Sequence, residues 1–358
     1  MKIDSCIDEI RSLAAEMGRQ VRLMEVCGTH TVSAFRSGLR SMLPDEVSLI
    51  AGPGCPVCVT PNGYLDRAIA ISRQPNTLIM TFGDMLRVPG SESSLEKERA
   101  SGANIRIVYS PMDAVAAARA EPRTRVVFLG VGFETTMPTI AWTLRKARED
   151  GLDNYSVLCA HKTIPEAMAA LLAGGEARID GFMCPGHVSV IIGAAAYRPL
   201  CEEYRIPCVV AGFEASDMAI TIRMLLAQLV AERADVEVQY KRSVTDEGNA
   251  AARAACAEVF EKCATEWRGV GLIPDSGMRI REDFAAHDAS RVFSDVEVPE
   301  AVEHPGCICG EVLRGVRTPP DCPLFGKGCT PAHPVGACMV SSEGSCAAYH
   351  KFAQREGK

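Results

Sequence analysis

Short apolar, β-branched runs alternate with helical periodicity from residue 20 to about residue 230, and this alternation limits the fold more than any other feature. It predicts a parallel α/β architecture, in which ligands collect at the carboxyl ends of the strands. The chain has 358 residues, 47% of them hydrophobic, and can therefore bury a large core divided into two or three domains. The predicted strands are 20–26, 47–51, 77–81, 105–109, 125–130, 156–160, 180–184 and 207–211.

The α/β region also repeats itself. At an offset of 132 residues the run that begins with Cys27 lines up with the run that begins with Cys159, and Gly52-Pro53-Gly54 lines up with Cys184-Pro185-Gly186. The repeat predicts two similar Rossmann-like lobes whose facing loops form a cleft. We place the N-terminal helix and the first lobe in residues 1–130 and the second lobe in residues 131–230. Chance similarity of short turn motifs is the alternative.

Residues 231–358 are expected to form a third unit. Its first part is charged and predicted to be helical, with a strong helix at 247–267. Composition changes abruptly at His304-Pro305-Gly306-Cys307, and the remainder is rich in Gly, Pro and Cys. Such a segment does not close a conventional core alone, because small Cys-rich modules depend on a metal or on bridges.

Charge and cysteine content limit the function. The net charge is −7 and Lys and Arg form no basic block, so a nucleic-acid partner is not expected. The N-terminus lacks the apolar core of a signal peptide, and no apolar run is as long as a membrane helix requires, so we expect a cytoplasmic protein without a membrane partner. The chain has 16 cysteines, and in a reducing compartment metal binding or thiol chemistry explains them better than structural disulfides.

The strongest metal signal is formed by four cysteines near the C-terminus. Cys322, Cys329, Cys338 and Cys346 are separated by six, eight and seven residues in a Gly- and Pro-rich run. Four thiolates on turns can surround a cubane, so we predict a [4Fe-4S] cluster. Zinc is the second choice, because structural zinc sites favour ligand pairs with shorter gaps. A set of buried thiols is the third interpretation, but we expect these turns to be exposed.

Two further cysteine pairs are less specific. Cys307 and Cys309, one residue apart, precede the four-cysteine run, and structural support and redox partnership are equally open to them. Cys55 and Cys58 form a Cys-x-x-Cys motif after a predicted strand, a spacing that permits a reversible disulfide. We expect the preceding Gly-Pro-Gly turn to hold both of these sulfurs exposed, although half of a zinc site has the same spacing.

Three loops at predicted strand ends supply other candidates. Cys27 follows the first strand with His30 close by, which fits a nucleophile, a soft ligand for iron or copper, or a structural thiol. Glu134 and Thr135 lie in a turn that resembles an anion-binding turn but lacks the Lys and the spacing of a P-loop. His187 lies at the corresponding turn of the second lobe, where a packing or capping role is equally open.

Together these segments resemble the hydrogenase maturation family HypD, from about residue 20 to residue 350. The matching runs, in order, are MEVCGTHT (24–31), GPGCPVC (52–58), TFGDMLRVPG (81–90), GFETT (132–136), CPGHVS (184–189), GFE (212–214), CICGEVLRG (307–315) and residues 321–349. The cysteines show no departure from the family pattern.

The resemblance implies a redox-active scaffold, rather than a conventional turnover enzyme, on which the Fe(CN)2CO unit of [NiFe]-hydrogenases is assembled. It implies two partners, a small HypC-type chaperone that supplies a cysteine and a HypE-type cyanide donor. Cys27 would hold the iron, and His30, Glu134 and His187 would line the cleft around it. The [4Fe-4S] cluster would supply electrons through Cys55 and Cys58.

Two functions of other classes remain alternatives at this stage. One is a free-standing iron–sulfur thiol-disulfide oxidoreductase that uses Cys55 and Cys58 to reduce a partner protein. The other is a metal protein in which the cluster and the cysteines serve only stability.

Overall fold

The computed structural model describes residues 3–353 and places a strand at each of the eight predicted positions. The strands are β1 (Val21–Glu25), β2 (Val47–Ala51), β3 (Thr77–Thr81), β4 (Ile105–Ile107), β5 (Arg125–Gly132), β6 (Tyr155–His161), β7 (Gly181–Pro185), β8 (Cys208–Ala211), β9 (Val236–Val238), β10 (Phe260–Trp267) and β11 (Gly271–Ile280).

Helices connect these strands. They are α1 (Ile3–Met17), α2 (Gly28–Arg36), α3 (Leu39–Met42), α4 (Asn62–Ser72), α5 (Gly83–Leu86), α6 (Leu95–Ala100), α7 (Met112–Ala120), α8 (Met137–Glu149), α9 (Ile164–Gly174), α10 (Gly186–Ile192), α11 (Arg198–Tyr204), α12 (Ala215–Val230), α13 (Ala250–Val259), α14 (Ala289–Val292), α15 (Cys309–Leu313), α16 (Ala337–Val340) and α17 (Ser345–Phe352). No helix within residues 3–353 is both long enough and apolar enough to cross a membrane.

The strands form two parallel sheets, which confirms the prediction of an α/β protein with two parallel-sheet lobes. A five-stranded sheet has the order β2-β1-β7-β8-β9, and a four-stranded sheet has the order β4-β3-β5-β6. When the strands of each sheet are numbered by their order in the chain, both sheets have the spatial order second, first, third, fourth, and the larger sheet continues with its fifth strand. In this doubly wound arrangement the ligand crevice lies where the winding reverses, between the first and the third strand. These positions are β1 with β7 and β3 with β5.

The sheets do not coincide with the predicted boundary after residue 130, because β5 spans that position. The chain leaves the five-stranded sheet after β2, builds the whole four-stranded sheet, and returns with β7 to pair with β1. The repeated motifs that predicted two lobes also do not occupy equivalent positions in the two sheets. Cys27 follows a strand of the five-stranded sheet, whereas Cys159 lies inside β6 of the other sheet.

The predicted helix at 247–267 is wrong in its second half. α13 ends at Val259, and β10 then pairs in antiparallel register with β11, from Phe260 opposite Ile280 to Trp267 opposite Gly271. From residue 261 to 267, partly or fully buried residues alternate with exposed ones, which is the period of a strand. The hairpin joins the four-stranded lobe through a bridge between Lys162 and Gly277.

Buried apolar side chains fill both faces of the sheets. The predicted N-terminal helix is confirmed as α1, which packs with α12 on one face of the five-stranded sheet through Ile7, Ile10 and Ile222. The core on its other face includes residues of the C-terminal segment, such as Cys309 and Cys338. The segment from residue 307 to 353 is therefore joined to the five-stranded lobe by a shared core.

Candidate iron and thiol site

Cys27 lies at the carboxyl end of β1, where the winding of the five-stranded sheet reverses. It is the N-cap residue of α2, and its extended backbone turns the chain from strand to helix. The amide of Gly28 donates to the carbonyl of Gly54 at 3.1 Å. A Cβ atom on Gly54 would lie 2.3 Å from the Cys27 nitrogen, so only glycine permits this approach. The structure thus places the Cys27 loop directly against the Cys55 loop.

The surroundings of Cys27 keep its thiol protonated. Burial raises the pKa of Cys27 to about 11, and the nearby carboxylate of Glu343 raises it as well. The amides of His30 and Thr29 and the Thr29 hydroxyl favour the thiolate but do not outweigh these effects. A thiol of this kind is a poor free nucleophile at neutral pH, whereas a metal ion can displace its proton on binding. The raised pKa therefore counts against a nucleophile and leaves the metal ligand and the structural thiol as interpretations.

His30 lies beside Cys27 in sequence but is fixed by the neighbouring β8–α12 loop. Its Nε2 donates to the carbonyl of Gly212 at 3.0 Å, since a carbonyl can only accept. Burial lowers the pKa of His30 to about 4, so the ring is neutral and its Nδ1 is a bare acceptor. That Nδ1 is buried and has no hydrogen-bond partner in residues 3–353. His30 therefore offers one unused lone pair.

His187 joins the same group through an aromatic ring. The ring of Phe213 stacks on His30 at a centroid distance of 4.8 Å and on His187 at 4.0 Å. His187 follows β7, the strand that flanks β1, and its side chain is exposed. Desolvation lowers the pKa of His187 while Glu343 opposes the shift. The structure thus brings Cys27, His30 and His187 to one edge of the five-stranded sheet.

Glu343 is a member of this group that sequence reasoning missed. It lies between Cys338 and Cys346, and its carboxylate accepts a 2.6 Å hydrogen bond from the Thr29 hydroxyl. Its backbone also packs on α2, because a Cβ atom on Gly28 would lie 2.3 Å from the Glu343 carbonyl oxygen. The only sequence signal was its position inside the four-cysteine run. The cysteine-rich segment therefore supplies a charged neighbour to Cys27.

Cys55 and Cys58 form a disulfide, the pairing that their spacing permits. The expectation that both sulfurs are exposed is wrong, because Cys55 is 3% and Cys58 0% exposed. The loop folds inward against Cys27. Its Val57 and Val59 side chains are buried in the core that also contains Cys309 and Cys338. The disulfide thus lies beside the Cys27 loop, in a core that the C-terminal segment shares, and is shielded from solvent.

Glu134 and Thr135 lie at the end of β5, in the other lobe. Glu134 is buried, and its Oε1 accepts a 2.9 Å hydrogen bond from the Ile164 amide at the start of α9. Its Oε2 has no partner among the described residues, and burial raises the pKa of Glu134 to about 8. Thr135 is exposed. None of the hydrogen bonds found for these two residues reaches the Cys27 group.

Six cysteines line one small cavity of about 20 Å³ in the C-terminal segment. They are the four predicted ligands together with Cys307 and Cys309, and the remaining lining is glycine and apolar side chains. Cys329 and Cys338 are buried, so the expectation of four exposed turns is wrong for them. Cys338 lies in α16 and Cys346 at the start of α17, so neither of these two cysteines is on a turn.

The donor set of this cavity fits a soft metal. Sulfur is the only ligand type that its side chains offer, which suits an iron–sulfur cluster or zinc and not a hard cation. Hydrogen bonds with Cys309 and then Cys338 lower the pKa of Cys346, which favours the thiolate form that a metal binds. No three His, Cys, Asp or Glu side chains of residues 3–353 stand at metal-binding geometry, and the cluster remains a prediction.

Comparison with known proteins agrees with the resemblance that the sequence motifs indicated. The model of the HypD family, described as "Hydrogenase formation hypA family", matches residues 1–353. The chain is 48% identical to hydrogenase maturation factor HypD of Azotobacter vinelandii, over 95% of this chain and 92% of that protein. It is 44% identical to hydrogenase maturation factor HypD of Escherichia coli (strain K12), over 98% of this chain and 95% of that protein. Because the family model matches residues 1–353, which include every described residue, the chain belongs to the HypD family.

Proposed function

We propose that this protein is a hydrogenase maturation factor that serves as the scaffold for the Fe(CN)2CO unit of [NiFe]-hydrogenase, with Cys27 as the protein ligand of the iron. The observation that carries the proposal is the position of Cys27 at the winding reversal of the five-stranded sheet, grouped with Glu343 and two histidines and in contact with the disulfide loop. The printed names of the relatives, hydrogenase maturation factors, support the same role.

The iron unit is the cargo, and the residues around Cys27 suit its temporary binding. An incoming iron ion replaces the proton of the Cys27 thiol, and soft thiolate sulfur suits a low-spin iron that carries cyanide and carbonyl. The lost proton has an acceptor nearby in Glu343, which already accepts a hydrogen bond from Thr29. Cys27 is only half-buried and His187 is exposed, so this edge is open to a HypC-type chaperone and a HypE-type cyanide donor.

Electrons would come from a [4Fe-4S] cluster held by Cys322, Cys329, Cys338 and Cys346; when bound, such a cluster supplies single electrons. This chain's own acceptor is the Cys55–Cys58 disulfide. Two electrons and two protons convert it into two thiols beside the Cys27 loop. The disulfide shares a continuous core with Cys309 and Cys338 of the C-terminal segment, and this supports the proposed order of cluster, disulfide and iron.

The structure disfavours the alternative of a free-standing thiol-disulfide oxidoreductase. Such an enzyme must present one of its sulfurs to the disulfide of a partner protein. Cys55 and Cys58 are almost fully buried, so a partner protein has no direct access to them. An internal substrate beside Cys27 fits this burial better. The cytoplasmic location and the identities of the partners remain predictions.

The test is infrared spectroscopy of the protein purified anaerobically with its small chaperone. We expect iron-bound cyanide and carbonyl stretches for the wild type and their loss in Cys27→Ala. Cys263→Ser is the matched control, because Cys263 is a half-buried thiol on the β10–β11 hairpin. Unchanged stretches in Cys27→Ala, with the complex intact, would rule out Cys27 as the iron ligand.

A further inference from the structure

A second cavity, of about 720 Å³, opens beside the six-cysteine cavity. It lies between residues 87–97, which belong to the connection from β3 to β4, and the chain segments 302–309 and 328–336. Cys307 and Cys309 line both cavities. These two residues therefore form the wall between a solvent-open cavity, large enough for a small organic molecule, and the proposed cluster ligands.

Arg268 lies in the lining of this cavity and is only 5% exposed. Its position just after β10 is fixed, since its amide donates to the Val59 carbonyl at 2.9 Å and its Nε to the Thr60 carbonyl at 2.8 Å. The Nη2 atom is buried without a hydrogen-bond partner, and no carboxylate in residues 3–353 pairs with the guanidinium. A buried cation without a counter-ion is costly, so an anion in the cavity would be stabilised by it.

Asn62 presents the opposite polarity beside Arg268. It is 6% exposed, and its Nδ2 donates to the Val302 carbonyl at 2.7 Å, which fixes the orientation of the amide. Its Oδ1 is buried in the same lining without a partner. The buried lining thus offers one unused donor of positive charge and one unused acceptor.

The rim does not decide the charge preference of the cavity. Its charged residues are exposed and of both signs, Arg87 and Lys97 against Glu92, Glu96 and Glu303. Solvent and salt screen such groups, whereas a buried guanidinium is screened much less. Arg268 therefore determines which ligand the interior accepts.

We propose that this cavity binds a small carboxylate that also carries a hydroxyl or amino group. The carboxylate accepts from Arg268 Nη2, and the second group donates to Asn62 Oδ1. The bound molecule then lies beside Cys307, whose pKa is raised chiefly by the neighbouring Cys309 and by burial, with Arg268 opposing the shift in part. The site is separate from the Cys27 group, so a negative result for this site would leave the proposed scaffold function unaffected.

A charge-matched pair of alkylating reagents tests the site in the full-length protein under anaerobic conditions. Iodoacetate is a small carboxylate and iodoacetamide is its neutral counterpart, and both attack the same thiolate. The ratio of their rates at Cys307, measured by peptide mass spectrometry, therefore cancels the thiolate fraction and reports anion recognition. We expect Arg268→Gln to lower this ratio about tenfold or more, the effect of losing a hydrogen bond to a charged group. Lys97→Gln, on the exposed rim, should leave the ratio nearly unchanged.

Protection of the wild type gives a second measurement that needs no folded variant at Arg268. Glycolate should slow the labelling of Cys307 more than acetate does, because only glycolate has a hydroxyl for Asn62 Oδ1. Equal ratios in wild type and Arg268→Gln, or equal protection by glycolate and acetate, would overturn the proposal. So would an unreactive Cys307, because the cavity must admit a small molecule as far as that thiol.

Discussion

At the scale of single residues, the structure holds carboxyl groups in two contrasting ways. Glu343 is paired with a hydroxyl near the chain surface, whereas Glu134 is buried with one oxygen unpartnered. Burial raises the pKa of Glu134 from 4.5 to about 8. The folded protein therefore retains a proton that the unfolded chain has released between these two values.

This difference makes the folded state less stable as pH rises from about 4.5 to about 8, because unfolding then releases a proton. Glu134→Gln removes the titration while its amide oxygen can still accept from the Ile164 amide. We expect the free energy of unfolding of the variant, minus that of the wild type, to increase as pH rises across that range, because only the wild type loses stability there. Urea unfolding at several pH values measures it. A difference that stays constant with pH would show that Glu134 does not titrate in this window.

The Thr29–Glu343 hydrogen bond should couple the Cys27 loop to the C-terminal segment energetically. In a double-mutant cycle with Thr29→Val and Glu343→Gln, we expect an interaction free energy of about 1 kcal/mol or more, since the bond is charge-assisted. Ser37→Ala with Glu343→Gln is the control cycle, because Ser37 bonds within its own helix end. Additive effects of Thr29→Val and Glu343→Gln would mean that the two groups do not interact in solution.

Residue patterns indicated only the local part of this site. Cys27, His30, Cys55 and His187 were identifiable because each follows a strand, and such positions collect functional groups. Glu343 was not, because it is 314 residues from Thr29 in the chain and no local pattern records that contact. The burial of the Cys55–Cys58 disulfide was missed for the same reason, since the packing that covers it comes from distant segments.

At the scale of elements, the contact between the Cys27 loop and the Cys55 loop requires a glycine, which has no side chain, at position 54. Gly54 lets the Cys55 loop pass within van der Waals distance of the backbone at Cys27. A Cβ atom there would overlap backbone atoms that no rotamer change can move.

Gly54→Ala should therefore lower the free energy of unfolding by about 1–3 kcal/mol, the usual cost of overpacking. The matched control is Gly63→Ala in α4, where the added Cβ would meet only Ala301 at 3.7 Å. That change should be neutral or stabilising, by up to about 1 kcal/mol, because alanine favours a helix over glycine. Equal effects of the two substitutions in urea unfolding would contradict the close approach of the loops.

Elements were predicted best where hydrophobic periodicity was unambiguous. All eight expected strands are present, and most of them are the continuous apolar runs that buried parallel strands form. The short edge strand β4, Ile-Arg-Ile, is the exception. The hairpin of β10 and β11 was missed because the residues between Phe260 and Trp267 are largely polar and of moderate helix propensity. Pairing with β11, a tertiary contact, decides their conformation.

At the scale of the whole molecule, the C-terminal segment has little regular structure of its own. Its helices are short, and six of its thiols face one another. If it holds a cluster, the metal bonds contribute to the folding free energy of that segment and of the core that it shares with the five-stranded sheet, rather than to that of the four-stranded sheet.

Reconstitution with iron and sulfide under anaerobic conditions should therefore slow amide hydrogen exchange selectively. We expect protection to rise in residues 307–353, by about tenfold or more, and to stay unchanged in β3, β5 and β6. Cys338→Ser should abolish the gain, because Cys338 is the most deeply buried of the four expected ligands. Protection that rises equally in the four-stranded sheet would argue against a cluster confined to this segment.

The insertion of one sheet within the other has a consequence for biosynthesis. The four-stranded sheet is complete once β6 has left the ribosome, whereas β1 and β2 must wait for β7 to pair with β1. Glu343 is translated later still, 314 residues after Thr29. A nascent chain therefore displays Cys27 without the neighbours that surround it in the fold until Glu343 has been translated, and the proposed iron site can be complete only after that point.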